Sequence, residues 1–408
     1  MPPTDLRRFA ENRDRALFLT ADVTDETVTG MAAEIVRLKQ ASNEPICLYI
    51  DSAGGSVFYA QRLLSFLTSP RQDGHAPWII TICIGFAGSA AADLLALGDY
   101  AMAYPFSLIH HHGTRQSEKE LTVESIGRIE SRLRETNEDF AIRLATKIFH
   151  RLIVRILQIR GEQSPDFLFH ETIADPQTFI TSLRDKLSER HRQIITDAAN
   201  RQKDVAQVLK IAGIKPEETQ QPPESQLLKA VIDYESNKAG GQEKAFLSAS
   251  DLSAIRDNFY QIRGLYHERY WINLIDIVHR KGEHFLLPDE SDQFKKIPHD
   301  KPIERSEFLV QRVAHKLNPI WWFVVSLSRC LQSGEHTISP VDAYWLGLID
   351  EVVGSGLPSL RLFASQQQQA AVAQQQPNTS TASAQAPQAP AAETPPVVTD
   401  HEPVGEEP

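Results

Sequence analysis

The chain has 408 residues, room for one domain of ordinary size and substantial further material. With 41% hydrophobic residues it can bury a real core, while a formal net charge of −11 excludes a general nucleic-acid binder, which needs a basic face. Its three cysteines, Cys47, Cys83 and Cys330, all sit in apolar surroundings and suit a reducing compartment better than a disulfide framework.

Residues 1–13 read as a polar arm. The first eight contain no apolar h-region, so no secretory signal is expected. The apolar run Trp321-Trp322-Phe323-Val324-Val325 is too short to span a bilayer, so neither a membrane nor a nucleic-acid partner is expected, and the expected location is cytoplasmic.

An α/β core starts near Arg15. Ile46-Cys47-Leu48-Tyr49-Ile50 is a short apolar strand. It runs into Asp51-Ser52-Ala53-Gly54-Gly55-Ser56-Val57, where two glycines allow a tight turn with exposed backbone N–H groups before a helix over about 58–67. The pattern repeats. Ile79-Ile80-Thr81-Ile82-Cys83-Ile84 is a β-branched strand, followed by Gly85-Phe86-Ala87-Gly88-Ser89 and a helix from Ala90 to Leu97, with Gly98 as its expected C-cap. Ser89 therefore stands at a helix N-terminus. Two readings fit it: an N-cap serine, or a nucleophile whose transition-state oxyanion is stabilised by free amides and the helix dipole.

Pro105 opens the next strand, Phe106-Ser107-Leu108-Ile109-His110-His111-His112. Alternation puts Leu108, His110 and His112 on one face and Ile109 and His111 on the other, so the three histidines cannot converge on one metal ion. No carboxylate or cysteine lies nearby at a usual zinc spacing, and neither a metal nor another cofactor is expected. With Ser89 upstream, one of these histidines suits a general base.

A long helix is expected over about 118–158, with Ile126, Ile129, Leu133, Phe140, Leu144 and Ile148 at helical spacing. Residues 159–317 read as a mostly helical insertion. Its aromatics Tyr260, Tyr266, Tyr270 and Trp271 are read as core rather than as a binding platform. A helix over about 319–331 returns the chain to the core. From about Ser365 the composition collapses into Gln, Ala, Pro, Ser and Thr, which cannot bury enough apolar surface to offset ordering, so residues 365–408 are expected to be disordered.

These motifs, in this order, resemble the Clp-type serine peptidases. The resemblance rests on Arg15-Ala16-Leu17-Phe18-Leu19-Thr20; on Leu48-Tyr49-Ile50-Asp51-Ser52-Ala53-Gly54-Gly55; on Cys83-Ile84-Gly85-Phe86-Ala87-Gly88-Ser89 with Leu94-Leu95-Ala96-Leu97-Gly98; on Pro105 and the histidine strand; and, after the insertion, on Ile338-Ser339-Pro340-Val341-Asp342-Ala343 and Leu346-Gly347-Leu348-Ile349-Asp350-Glu351-Val352. It implies a Clp-protease/crotonase-like core, a spiral of ββα repeats built from residues 14–158 and 318–356.

The resemblance also implies roles. Ser89 takes the place of the nucleophile, and the backbone N–H groups of Gly55 and Ala90 that of the oxyanion hole. The base falls on His112, with His111 one register away as the alternative. The third member of the triad falls on Glu335, which otherwise reads as a solvated loop acid. Ala53 replaces the family's proline and Gly88 an alanine, without removing a reacting group. The activity implied is hydrolysis of peptide bonds in peptides or unfolded proteins, in a homo-oligomer served by an AAA+ unfoldase. Two alternatives stand beside it: a catalytically silent scaffold subunit, and a crotonase-type acyl-CoA enzyme, which shares the superfold and a two-amide oxyanion hole.

Overall fold

The computed structural model describes residues 10–116, 122–162, 176–215, 222–240 and 247–361. The first nine residues of the polar arm and the expected disordered segment 365–408 lie outside the described residues.

Seven strands form one sheet: β1 Ala16–Leu19, β2 Ile46–Ser52, β3 Ile79–Gly88, β4 Tyr100–Ala103, β5 Leu108–His112, β6 Glu335–Ile338 and β7 Glu351–Val352. The path β1-β2-β3-β4-β7 is parallel throughout. β5 joins the sheet parallel to β3, and β6 is antiparallel to β5. The core is thus a mixed α/β fold with a mainly parallel sheet. Such a sheet is covered on both faces, which is why β2 and β4 read as near-continuous apolar runs and are buried along almost their whole length.

The helices within the sheet-forming segment are α1 Asp25–Ala41, α2 Val57–Thr68, α3 Ala90–Leu97 and α4 Val123–Glu162. The expected start of α4 at about 118 falls in residues outside the described set; the helix is described from Val123. Its C-terminal half buries Phe140, Leu144 and Ile148, but its N-terminal half leaves Ile126 exposed and Ile129 and Leu133 half-buried. The apolar stripe expected along the whole helix is therefore covered by this chain only from about Phe140 onward.

β3 changes partner along its length. Ile80 to Cys83 pair with β4, whereas Phe86 to Gly88 pair with β5. Between the two, the register against β2 slips from Ile50–Cys83 to Ser52–Ala87. A bulge of this kind bends and twists a strand. It is pinned by the Asp51 carboxylate, which accepts from the Phe86 N–H at 2.9 Å. The bend carries the end of β3, and Ser89 after it, away from β4 and onto β5.

After α4 the described residues up to Leu309 form helices and short 3-10 turns with no strand: α5 Pro176–Lys186, α6 Glu189–Ile211, α7 Pro223–Ala239, α8 Ala249–Leu265, α9 Glu268–Lys281, α10 Pro288–Lys295 and α11 Pro302–Leu309. α12 His315–Leu331 then packs on α4, α6 and α8. At its centre Tyr270 and Trp321 stack at 4.2 Å between ring centroids and 7° between planes, with Phe149 edge-on to both. Tyr270 is thus core, as its sequence context suggested, and the Trp321 indole N–H donates to the Leu265 carbonyl. The chain re-enters the sheet as β6, turns through α13 Pro340–Trp345, and closes against β4 as β7.

Gly98 caps α3 as expected, at φ −55°, a conformation open to any residue. The constraint is space: a Cβ there would come within 2.3 Å of Thr81 Oγ1, so glycine lets α3 end close against β3.

Candidate active site

The site is assembled where β2, β3 and β5 end. Ser89 is the residue between β3 and α3. Its φ of 53° and ψ of −127° make it the one non-glycine with positive φ among the described residues. Such a conformation costs of order 1–3 kcal/mol and persists only where its surroundings hold it. Here the Ser89 N–H donates to the His110 carbonyl at 2.7 Å, so β5 fixes the strained turn. The hydroxyl does not cap α3, which removes the N-cap reading of this serine. A sharp strand-to-helix turn of this type presents a side chain at the sheet edge.

Gly54 and Gly55, at φ +101° and +142°, form the turn after β2. A Cβ on Gly54 would stand 2.4 Å from the Gly88 carbonyl oxygen and 2.7 Å from Ser89 Cβ, so this turn lies directly against the serine. Val23 bridges it by donating to the Gly54 carbonyl and accepting from the Ser56 N–H. Neither of these bonds uses the Gly55 N–H. Ala90 is the first residue of α3, where the helix offers its N–H no acceptor. Both expected oxyanion donors thus lie on turns that meet at Ser89.

The three histidines divide as alternation requires. His110 and His112 share a face, with ring centroids 5.6 Å apart, while His111 is buried on the other side. His111 Nδ1 lies 3.5 Å from the Asp93 carboxylate, and neither ring nitrogen has a hydrogen-bond partner among the described residues. That carboxylate accepts instead from Gln332 Nε2 at 3.0 Å. His111 therefore lies on the opposite face of β5 from His110 and His112, against α3.

Hydrogen bonding separates the remaining two. His112 Nδ1 stands 2.7 Å from the Gly113 carbonyl. A carbonyl only accepts, so Nδ1 carries the proton and the neutral ring keeps its lone pair on Nε2. His110 Nε2 meets the Glu335 carboxylate at 3.1 Å, and its Nδ1 meets Thr337 Oγ1 at 2.9 Å. Both His110 nitrogens are engaged. Burial, and next the neighbouring His112, His111 and Arg115, lower the His110 pKa and favour its neutral form. His112 is accordingly the one of the two whose Nε2 is not engaged among the described residues. No hydrogen bond joins Ser89 Oγ to His112 among the described residues, as is common before a substrate aligns the two.

Glu335 was expected to orient His112. It does pair with His112 across the β5–β6 ladder, but its carboxylate reaches diagonally to His110 and to Arg115. The reason is ladder geometry, since diagonal neighbours lie within reach of a long side chain. The sequence reading gave no role to His110 or to the Gly113 carbonyl. The alternation that placed His110 beside His112 was the available signal for the first; the second follows from backbone position alone.

No group of three or more His, Cys, Asp or Glu among the described residues is arranged to hold a metal ion. The cysteines are free and buried, and burial raises the Cys83 and Cys330 pKa values to about 11. No described helix is long and apolar enough to cross a membrane.

Comparison with known proteins agrees with this architecture. Residues 8–152 match the family model described as Clp protease. The ATP-dependent Clp protease proteolytic subunit 2 of Prochlorococcus marinus strain MIT 9313 is 34% identical over 130 residues, which cover 29% of this chain and 62% of that protein. Subunit 2 of the P. marinus strain CCMP1986 is 33% identical over 136 residues, covering 31% and 65%. The ATP-dependent Clp protease proteolytic subunit 3 of Synechococcus sp. strain CC9605 is 34% identical over 102 residues, covering 24% and 48%. The chain thus spans less than two thirds of the length of each of these relatives. The segment that builds β1 to β5, with Ser89 and the histidine strand inside it, is the part of the chain that is similar to Clp protease proteolytic subunits.

Proposed function

We propose that this protein is a serine peptidase that cleaves peptide bonds by acyl transfer. Ser89 Oγ attacks the carbonyl carbon while His112 Nε2 takes its proton. The Gly55 and Ala90 N–H groups hold the oxyanion of the tetrahedral intermediate. His112 then returns the proton to the leaving amine, and water releases the acyl group by the reverse sequence. The Gly113 carbonyl sets the His112 tautomer, a task that a carboxylate performs in other serine peptidases. Glu335 acts on His112 only through His110.

One observation supports this reading: a serine held at φ 53° between a strand and a helix, its hydroxyl released from capping duty and its N–H bonded to the His110 carbonyl of the histidine strand, where the His112 Nδ1 is already bonded to a carbonyl. Peptides or unfolded proteins are the substrate class in this reading, and a homo-oligomer working with an AAA+ unfoldase is the assembly that the relatives' names suggest. The test is reaction of the full chain with a fluorophosphonate probe and mapping of the labelled residue. Labelling at Ser89 that disappears in Ser89→Ala is expected.

A second reading is a catalytically silent Clp-like scaffold subunit. It is favoured by the Glu335 carboxylate bonding His110 rather than His112. A folded protein that the probe leaves unlabelled decides for it.

A further inference from the structure

β6 is four residues long and, among the described residues, pairs with β5 alone. Short edge strands gain little from their own ladder and depend on what packs on them. Beyond its ladder with β5 and the bonds of Glu335 and Thr337 to His110, β6 is held from the helical segment between α4 and α12. His191, in the first turn of α6, is buried. Its Nε2 lies 2.9 Å from the Thr337 carbonyl of β6, and its Nδ1 lies 2.7 Å from Asp342 Oδ2 on α13. A carbonyl and a carboxylate only accept, so the ring that satisfies both donates from both nitrogens.

Asp342 is held from several sides. Ser188 Oγ donates to Oδ2 at 2.6 Å and the Ser188 N–H to Oδ1 at 2.9 Å. Ser339 Oγ lies 3.1 Å from Oδ2. Burial pushes the Asp342 carboxyl up, but the bonds from His191 and Ser188 outweigh it and hold the group well below the usual carboxylate range. The cluster is a charge-assisted clamp with one point of contact on β6.

That point lies next to the site. Thr337, whose carbonyl His191 holds, uses its side-chain oxygen to bond His110 Nδ1. His110 in turn bonds Glu335 through Nε2 and accepts the Ser89 N–H through its carbonyl. We infer that His191 is a positioning residue for the reaction: from the inserted helical segment it fixes β6 through the Thr337 carbonyl, and β6 fixes the β5 strand that carries His112 and supports the Ser89 turn. The inference rests on the proposed peptidase chemistry for its kinetic readout, but its structural half stands apart from that chemistry.

The experiment compares wild type, His191→Ala, His191→Gln, Thr337→Val and Ser89→Ala in full-length protein, by fluorophosphonate labelling rate and by hydrogen exchange of the β5 and β6 amides. His191→Ala is expected to slow Ser89 labelling by about tenfold to a hundredfold, the scale on which small misplacements act. It should speed exchange in β5 and β6 while leaving β1 and β2 unchanged. His191→Gln retains an amide donor for the Thr337 carbonyl and is expected to recover most of the rate. Thr337→Val breaks only the side-chain link to His110 and is expected to slow labelling less than His191→Ala; it also serves as the test should His191→Ala not fold. Labelling of His191→Ala at the wild-type rate overturns the inference, as does a His191→Gln rate no better than that of alanine. If wild type itself is not labelled at Ser89, the peptidase reading falls. Exchange in β5 and β6 then decides alone, and unchanged exchange in His191→Ala overturns the clamp.

Discussion

The two ends of α3 are built to opposite purposes. At its N-terminus Ser89 is strained and half-exposed, its hydroxyl caps nothing, and the Ala90 N–H has no helical acceptor. At its C-terminus carbonyls find donors. Arg151 of α4, itself buried, donates to the Ala96 and Gly98 carbonyls at 2.8 and 3.1 Å, to the Leu348 carbonyl at 2.8 Å, and to the Asp350 carboxylate at 2.8 Å. One turn further along α4, Arg155 reaches the Tyr344 and Ile349 carbonyls. A helix end whose polar groups all find partners contributes stability. An end that leaves donors unused in a confined place offers them to a ligand. Eight residues of helix thus separate a site from its anchor.

The largest test of this contrast is at Ser89. Ser89→Ala is expected to lower fluorophosphonate labelling and peptide hydrolysis by about 10⁴-fold or more, with the melting temperature nearly unchanged. Ser89→Gly should lose as much activity yet gain about 1 kcal/mol of stability in denaturant melts, because glycine adopts the positive φ without strain. A less stable Ser89→Gly protein would contradict the picture of a strained functional end. His112→Ala should match Ser89→Ala, while His111→Ala should keep most of the activity; the reverse order would move the base by one residue.

Next comes the anchored end. Arg151→Leu removes a donor from the Asp350 carboxylate and from four carbonyls, of Ala96, Gly98, Gly347 and Leu348. It is expected to cost about 3–5 kcal/mol in urea unfolding, while labelling per folded molecule stays near wild type. A comparable loss of labelling without loss of stability would erase the division between the two ends.

A smaller effect is expected at the turn against Ser89. Gly54→Ala places a Cβ into the Gly88 carbonyl and Ser89 Cβ at φ +101°, and should cost about 1–3 kcal/mol and slow labelling together. The smallest concerns Glu335. Because its exposed carboxylate bonds His110 and Arg115 rather than His112, Glu335→Gln should reduce the labelling rate less than about tenfold, the range of an exposed ion pair. A loss of orders of magnitude would show that Glu335 turns to His112 during the reaction.

Much of this arrangement was legible in the sequence. The β-branched runs marked β2 and β3, the paired glycines marked the turn that lies against Ser89, and alternation in β5 separated His111 from its neighbours. What was not legible involves partners distant in sequence. Gly98 read as the cap of α3, which it is, but its close approach to Thr81 was not written in the local sequence. The apolar stripe of α4 read as uniform and is covered only in its C-terminal half.

The division has a physical cause. Local stereochemistry acts between near neighbours in the chain: period-2 alternation, the freedom of glycine at positive φ, and the open amides of a helix start are written in short stretches of residues, so the sequence by itself determined β2, β3 and β5, the paired-glycine turn and the place of Ser89 at a helix start. Hydrogen-bond partners across the fold are chosen by register and packing. Glu335 meets His110 from 225 residues away, and His191 meets Asp342 from 151 residues away. No periodicity connects such positions. Only the antiparallel register of β6 on β5, and the docking of α6 over it, decided that the glutamate serves the neighbouring histidine and that the helical segment holds the edge of the site.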